Sequence, residues 1–260
     1  MNILFIGDIV GSPGRLAVKE ILPKLKKKKK IDFTVANAEN SAGGSGITDQ
    51  VADELFDIGV DVITSGDHIW KKKEFYSRLN NDKRILRPLN YPKSNPGRGV
   101  TVVESVDGVN VAVINLLGRV FLDPIDCPFK AAQEAVKEVK DKTFVIIVDI
   151  HAEATSEKIA LGRFLDGRAS AVIGTHTHVQ TADEYILPKG TAYITDSGMT
   201  GPFDSVIGRK TEFILERFLT QMPTKFEVAE GDIRLQGAMV TVDDKTGIAS
   251  KIERIHERLE

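Results

Sequence analysis

The segment GTHTHVQTAD, residues 174–183, carries two histidines, His176 and His178, separated by one residue. In an extended segment, residues two apart point to the same side, so we expect both imidazoles to face one point, with Thr175 and Thr177 turned away. Neutral imidazole is a common nitrogen ligand of metal ions. The pair therefore indicates a metal site, although two surface or packing histidines would show the same spacing.

Polar side chains also follow four other apolar segments of the chain. They are Asp8 after ILFIG, Glu39 and Asn40 after FTVANA, Asp67 and His68 after VDVITSG, and His151 after FVIIVDI. Ligand sites of open α/β sheets lie outside the carboxyl ends of the strands, where these residues would meet. Each could instead be an independent helix cap, turn former or core histidine. Buried together, however, they need partners, and a metal centre would satisfy them jointly.

The number of candidate ligands predicts the number of metal ions. Carboxylates, an amide and several imidazoles exceed the needs of one ion, whereas two divalent cations about 3.5–4 Å apart, bridged by a carboxylate and a hydroxide, would use them all. Oxygen and nitrogen ligands without a thiolate favour manganese or iron, with zinc as a third candidate. Such a pair of ions is suited to the hydrolysis of phosphate esters.

The elements that must position these residues alternate along the chain. Apolar runs predict strands at 2–6, 33–37, 60–64, 99–105, 109–116, 144–150, 169–174 and 191–195. One helix is expected to begin after Ser12, which would cap it, and a second is expected over 48–58, ending before Gly59. A third is expected to begin at Pro128, and a fourth is expected over 156–165. We expect a single α/β domain over residues 1–260, with helices on both sides of the sheet. Residues 198–208, GMTGPFDSVIG, are expected to form a flexible loop near the site.

Composition excludes several classes of protein. The net charge is −2 and the chain has one cysteine, Cys127, so neither a general nucleic-acid-binding surface nor an internal disulfide is indicated. The lysine run 26–30 is interpreted as the solvated end of the first helix. The absence of a signal-peptide pattern or a long apolar run predicts a cytoplasmic protein without membrane contact. A homo-oligomer is neither required nor forbidden.

Six segments together resemble those of the calcineurin-like metallophosphoesterases, and more closely the YmdB-type bacterial branch of that superfamily. They are GDIVGSPGR, NAENSAGG, TSGDHIW, VDIHAEATSEK, GTHTHVQTAD and ITDSGMTGP, spread over residues 7–202. The resemblance implies a layered sandwich of mixed β-sheets flanked by helices, with a dinuclear metal site at the carboxyl ends of the strands. It also implies hydrolysis of phosphodiesters, with 2′,3′-cyclic nucleotides as the substrate.

The resemblance also implies roles for residues at matching positions. One metal would be held by Asp8, Asn40 and His178, the other by Asp67, His151 and His176, with Glu39 bridging both. His68 would protonate the leaving oxygen as general acid, while a metal-bridging hydroxide attacks phosphorus.

Two positions depart from the pattern of the metallophosphoesterases. The first motif reads Asp8-Ile9-Val10 where many members have Asp-x-His, a loss that is usual in this branch, and Asp67 stands where the resemblance leads us to expect an asparagine. Asp8, Glu39 and Asp67 then place three negative charges against the four positive charges of two divalent ions. We expect tighter metal retention but weaker Lewis acidity than with asparagine.

The alternatives to a phosphodiesterase are a phosphomonoesterase or nucleotidase on the same metal core, and a non-catalytic regulator that binds metal or nucleotide. Asp67 is the one feature that favours the regulator. Trp70 and Phe203 are candidates either for the mouth of the substrate site or for ordinary packing.

Overall fold

A computed structural model describes all residues, 1–260, and contains thirteen strands and six α-helices. The strands are β1 (Asn2–Ile6), β2 (Asp8–Ile9), β3 (Phe33–Asn37), β4 (Val62–Thr64), β5 (Val100–Glu104), β6 (Asn110–Leu117), β7 (Val145–His151), β8 (Ala171–Thr175), β9 (Tyr185–Ile186), β10 (Ala192–Ile194), β11 (Met199–Pro202), β12 (Ile233–Val242) and β13 (Ala249–Arg258). The helices are α1 (Gly11–Lys29), α2 (Asp49–Ile58), α3 (Tyr76–Asn81), α4 (Pro128–Val139), α5 (Thr155–Leu165) and α6 (Thr211–Thr220). All eight predicted strands are present.

The strands form two mixed sheets. The first has the order β2-β11-β12-β1-β3-β4, with β13 paired to β12, and the second has the order β5-β6-β7-β8-β10-β9. In the first sheet β1, β3 and β4 are mutually parallel, and in the second β6, β7, β8 and β10 are parallel. The parallel strands place their carboxyl ends along one edge of each sheet.

The two sheets pack face to face, because their strands are apolar on both faces. Residues of β1 and β3, such as Phe5 and Val35, share one buried cluster with Val113, Ile147 and Ile173 of the second sheet. Helices α1 and α2 cover the outer face of the first sheet, and α4 and α5 cover that of the second. This four-layer sandwich confirms the predicted fold class.

Helix ends agree with the sequence in part. Thr48 caps α2 by accepting a hydrogen bond from the backbone N–H of Val51 at 3.4 Å, and Gly59 ends it with φ of 110°. The lysine run does lie in the last turn of α1. The assignment of Ser12 as a cap is wrong, since α1 begins at Gly11 after Val10 and has no side-chain cap.

Several elements differ from expectation, including helix α3 and the short strands β2 and β9, which were not predicted. Part of the predicted loop 198–208 is β11, whose residues are buried and paired with both β2 and β12. Helix α6 was not predicted at all. No helix has both the length and the apolar character that a membrane-crossing segment requires.

Candidate metal centre

The carboxyl ends of the parallel strands bring every predicted site residue together. Asp8 opens β2, Glu39 and Asn40 follow β3, and Asp67 and His68 begin a short 3₁₀-helix, 67–71, after β4. His151 is the last residue of β7, and His176 and His178 follow β8. The oxygen-bearing candidate ligands thus come from the first sheet, and the imidazole candidate ligands come from the second.

Four of these residues form a first ligand cluster, Glu39, Asp67, His151 and His176, whose ligand atoms all lie within 4.8 Å of one another. His151 Nε2 is at its middle, 3.2 Å from Glu39 Oε1 and 3.8 Å from Asp67 Oδ1. His176 Nδ1 lies 3.0 Å from the same nitrogen. Two carboxylates and two imidazoles at this spacing can surround one divalent cation.

Asp8, Asn40 and His178 form a second ligand cluster beside the first. His178 Nε2 lies 3.8 Å from Asp8 Oδ1 and 3.4 Å from Asn40 Nδ2. Asn40 Nδ2 also donates to Glu39 Oε1 at 3.1 Å, so Glu39 contacts both clusters. Because Asn40 presents its amide nitrogen here, binding of a cation by this side chain requires the opposite amide orientation.

Two observations show that the residues fit metal ions. Asp8 Oδ1 and Asp67 Oδ1 are buried and have no hydrogen-bond partner, which is costly for a carboxylate unless a cation satisfies it. Gly66 leaves the space between Glu39 and His151 open, since a Cβ there would lie 2.4 Å from Glu39 Oε2 and 2.3 Å from His151 Nε2.

Hydrogen bonds orient two of the imidazoles for metal binding. His178 Nδ1 lies 3.0 Å from the carbonyl oxygen of Ile207, which can only accept, so Nδ1 carries the proton and the Nε2 lone pair faces the second cluster. His151 Nδ1 lies 2.9 Å from Thr175 Oγ1. Thr175 in turn donates to Asp149 Oδ1 at 2.8 Å, which leaves its oxygen free to accept from His151.

The backbone around the histidine pair is not extended, and the geometric reason that we gave for the pairing is wrong. His176 has φ of 100° and His178 has φ of 65°, in the region that disfavours side chains with a Cβ. The backbone N–H of His176 donates to Asp8 Oδ2 at 3.1 Å, and this contact helps to hold the turn. Strained backbone of this kind occurs at functional sites and costs about 1–3 kcal/mol per residue.

The carboxylates create a strongly cation-attracting environment. Burial lowers the pKa of His151, but the Glu39 and Asp8 carboxylates outweigh it and raise that pKa to about 10. Burial and the neighbouring His151 lower the pKa of His176 to about 3. In the metal-free chain a proton on His151 therefore supplies the positive charge that this cluster of carboxylates favours.

His68 lies at the boundary of the two clusters and faces solvent. Its side chain is 32% exposed, and its Nδ1 lies 2.7 Å from Asn40 Oδ1 and 3.3 Å from Glu39 Oε1. The hydrogen bond with Glu39 is the main cause that raises the pKa of His68. This imidazole can hold a proton next to the ligand clusters while it stays accessible.

Several supporting residues were not predicted. Asp149 is fully buried under His151 and also accepts from Thr64 Oγ1 at 2.5 Å. Asp196 fixes the histidine turn by accepting from the backbone N–H of Thr177 at 3.0 Å, and it pairs with buried Lys158 at 2.8 Å. These residues lie inside strands, helices or turns, and only the packing of the two sheets shows their role.

Two aromatic candidates for the mouth of the site pack elsewhere. Trp70 lies edge-on against Tyr76 and Tyr91, with ring centroids 5.8 and 5.2 Å away. Phe203 stacks with His256 at 6.0 Å. Neither side chain lines the cavity above the ligand clusters.

Comparison with known proteins finds relatives in the family that the sequence motifs indicate. The chain is 54% identical over 255 residues to the 2′,3′-cyclic-nucleotide 2′-phosphodiesterase of Bacillus subtilis (strain 168), an alignment that covers 98% of this chain and 96% of that protein. A crystal structure of a hypothetical protein from Thermus thermophilus superposes with a TM-score of 0.93 at 42% identity, and covers 99% of both chains. A novel phosphatase from Mycoplasma pneumoniae superposes with a TM-score of 0.92 at 38% identity, over 99% of this chain and 93% of the other.

The resemblance found in the sequence motifs is thereby confirmed. The sequence model of the family described as YmdB-like protein matches residues 4–255, almost the whole chain. The chain belongs to the YmdB-like protein family.

Proposed function

We propose that this protein is a metal-dependent phosphodiesterase that hydrolyses small phosphodiesters, with 2′,3′-cyclic nucleotides as substrates. The observation that carries the proposal is the convergence of seven potential ligands, among which buried oxygens of Asp8 and Asp67 lack a hydrogen-bond partner. The name of the Bacillus subtilis relative supports the substrate class and indicates that the 2′ ester bond is cut, which leaves a nucleoside 3′-phosphate.

The two ligand clusters would hold one divalent ion each. Asp67, His151 and His176 would bind one ion, Asp8, Asn40 and His178 would bind the other, and Glu39, which contacts both clusters, would bridge them. Oxygen and imidazole ligands without thiolate suit iron or manganese, and zinc is a third candidate. When bound, such ions acidify a water molecule and neutralise the phosphoryl oxygens.

His68 would act as the general acid. Its Nδ1 lies 3.3 Å from Glu39 Oε1, so Nε2 is the nitrogen that can deliver a proton to the leaving 2′ oxygen. The step needs a protonated imidazole, and in the metal-free chain the Glu39 hydrogen bond is the main cause of the raised pKa of His68.

The test combines turnover with metal analysis. The substitution His68→Ala should lower kcat for 2′,3′-cyclic AMP by about 10²–10⁴-fold, the usual contribution of a general acid, while the metal content per chain stays that of the parent. Unchanged kcat in this variant would refute the role of His68.

The products separate the proposed activity from its alternatives. A phosphodiesterase releases 3′-AMP from the cyclic substrate, whereas a phosphomonoesterase or nucleotidase would release inorganic phosphate from 3′-AMP. If the parent protein, with manganese or iron present, hydrolyses neither compound, the proposal of an enzyme fails and a binding regulator is the better description.

A further inference from the structure

The metal centre opens into a cavity of about 820 Å³ whose two sides differ in chemistry. One side includes His68 and four residues of the ligand clusters, Glu39, Asn40, His176 and His178. The other is formed by α6 and the segments that flank it, and carries Ile207, Ile214, Arg217, Phe218 and Phe226. A cavity with a hydrolytic centre on one side and an apolar, aromatic surface on the other can hold a ligand with a phosphate at one end and a flat apolar group at the other.

Helix α6 presents two different stripes of side chains. Ile214, Arg217 and Phe218 are spaced by three and four residues, so they share one face, and this face lines the cavity. Leu215 and Leu219 belong to the neighbouring stripe and do not line it. The cavity-facing stripe can therefore be tested separately from the rest of the helix.

The aromatic side chains on this side are available to a ligand. The Phe218 side chain is 68% exposed although it is large and apolar. The guanidinium of Arg217 lies 5.0 Å from the centre of the Phe226 ring, a cation–π contact that orients both side chains. An exposed ring on the wall of a cavity offers a stacking surface for a second flat ring.

Resting on the proposed function, we propose that Phe218, with Arg217 and Phe226 beside it, forms the subsite for the nucleobase of the substrate. Phe218 stacks on the base while the cyclic phosphate lies over the ligand clusters. Stacking uses the π-face that every base has, so the contact with Phe218 does not itself distinguish one base from another. Loss of Phe218 should therefore raise KM for each of the four 2′,3′-cyclic nucleotides by a similar factor.

Two substrates and three variants test the subsite. The substrates are 2′,3′-cyclic AMP and the 2′,3′-cyclic phosphate of methyl riboside, in which a methoxy group replaces the base. The substitution Phe218→Ala should raise KM for cyclic AMP by roughly 5- to 150-fold, the fold-change equivalent to the loss of one base–aromatic stack, with kcat within a few-fold. KM for the base-free substrate should not change, and Phe218→Trp should restore a low KM for cyclic AMP.

The substitution Leu219→Ala is the matched control, because Leu219 is on the same helix, is 83% exposed and lies outside the cavity. It should leave both KM values unchanged. A parent enzyme that hydrolyses both substrates with equal KM would overturn the subsite but leave the proposed function intact. No turnover of either substrate would overturn the proposed function and the subsite with it.

A second copy of the chain is the other occupant that the apolar surface of α6 could accept. In that case Phe218→Ala and Leu219→Ala would both lower the mass measured by light scattering, and both would change KM for the two substrates equally. That result would overturn the nucleobase subsite.

Discussion

Asp67 is a carboxylate at the position where the resemblance to the metallophosphoesterases implies an asparagine. Its Oδ1 is buried without a hydrogen-bond partner, and it lies 3.8 Å from His151 Nε2, so a carboxylate is aimed into the first ligand cluster. An asparagine would offer a neutral oxygen in the same place. The extra negative charge should strengthen metal binding and reduce the effective positive charge that the substrate meets.

The substitution Asp67→Asn should therefore speed hydrolysis and weaken metal binding. A unit charge about 4 Å from an ion is worth ~1 kcal/mol even at the dielectric constant of water, so metal affinity should fall by roughly fivefold or more. The measurements are kcat at saturating manganese and the metal dissociation constant. An unchanged or lower kcat would count against the charge argument.

The contact between Thr175 and His151 leads to a second prediction at the residue scale. The substitution Thr175→Val removes the oxygen that accepts the His151 Nδ1 proton, and loss of such a supporting contact typically costs about 10–100-fold in metal affinity. Calorimetric titration of the metal-stripped protein with manganese measures this loss.

Thr64→Val is the control, since Thr64 donates to the same Asp149 carboxylate at 2.5 Å but is not a hydrogen-bond partner of His151. The metal affinity of Thr64→Val should stay closer to that of the parent than the metal affinity of Thr175→Val does. An equal loss in both variants would show that the effect passes through Asp149 and not through the orientation of His151.

The sequence was sufficient to find the candidate ligands but not the contacts that orient them. The ligands are polar residues at strand ends, and the rule that strand ends meet is enough to group them. Asp149 looks like an interruption of an apolar strand, and Thr175 was expected to face away from the site. Thr175 reaches His151 because the two residues are paired in the register of β7 and β8, and sequence periodicity does not fix that register.

At the scale of elements, the turn after β4 has no room for a side chain. A Cβ at Gly66 would lie 2.2 Å from His151 Cδ2 and 2.4 Å from Glu39 Oε2, so one of these residues must move. The substitution Gly66→Ala should lower kcat by about 100-fold, as expected for a displacement on the order of 1 Å, and reduce the metal content.

The substitution Gly108→Ala, in the turn between β5 and β6, is a matched control. Gly108 has φ of +78° and its Cβ would contact only Glu104 at 3.6 Å, so alanine costs roughly 1–2 kcal/mol of stability without touching the site. If both variants lost metal equally, general destabilisation would explain the result, and the close approach at Gly66 would not.

The elements that the sequence predicted correctly are those with a clear hydrophobic periodicity or a clear capping residue. Helix α2 has both a capping threonine and a terminal glycine, and its predicted end at Ile58 is correct. Helix α6, TEFILERFLT, lacks a side-chain cap and buries only Ile214, so its apolar residues show no single buried face. The left-handed backbone at His176 and His178 also escaped prediction, because contacts with Asp8 and Ile207, far away in sequence, accompany it.

At the scale of the whole molecule, the candidate centre joins the two sheets. Asp8, Glu39, Asn40 and Asp67 come from the first sheet, and His151, His176 and His178 come from the second. The sheets also share one buried cluster between them. We infer that residues 1–260 form a single domain and that bound metal ions reinforce the contact between its two halves.

Removal of metal should accordingly lower the melting temperature. Ligand present at 100 times its dissociation constant stabilises the folded state by ~2.7 kcal/mol, and each kcal/mol corresponds to about 2–4 °C in a chain of this size. A chelator should therefore lower Tm by roughly 5–10 °C, and excess manganese should restore it. The Tm of the Gly66→Ala variant should fall less when chelator is added. An unchanged Tm in the parent would show that the metal ions do not stabilise the fold.

The metal content per chain tests the central claim most directly. It is measured by elemental analysis of protein purified without chelator, alongside hydrolysis of 2′,3′-cyclic AMP. Seven potential ligands converge, and two buried carboxylate oxygens among them have no hydrogen-bond partner. We therefore predict close to two transition-metal ions per chain, together with hydrolysis of the cyclic nucleotide. One ion or none, with no hydrolysis after manganese or iron is restored, would contradict the dinuclear phosphodiesterase described above.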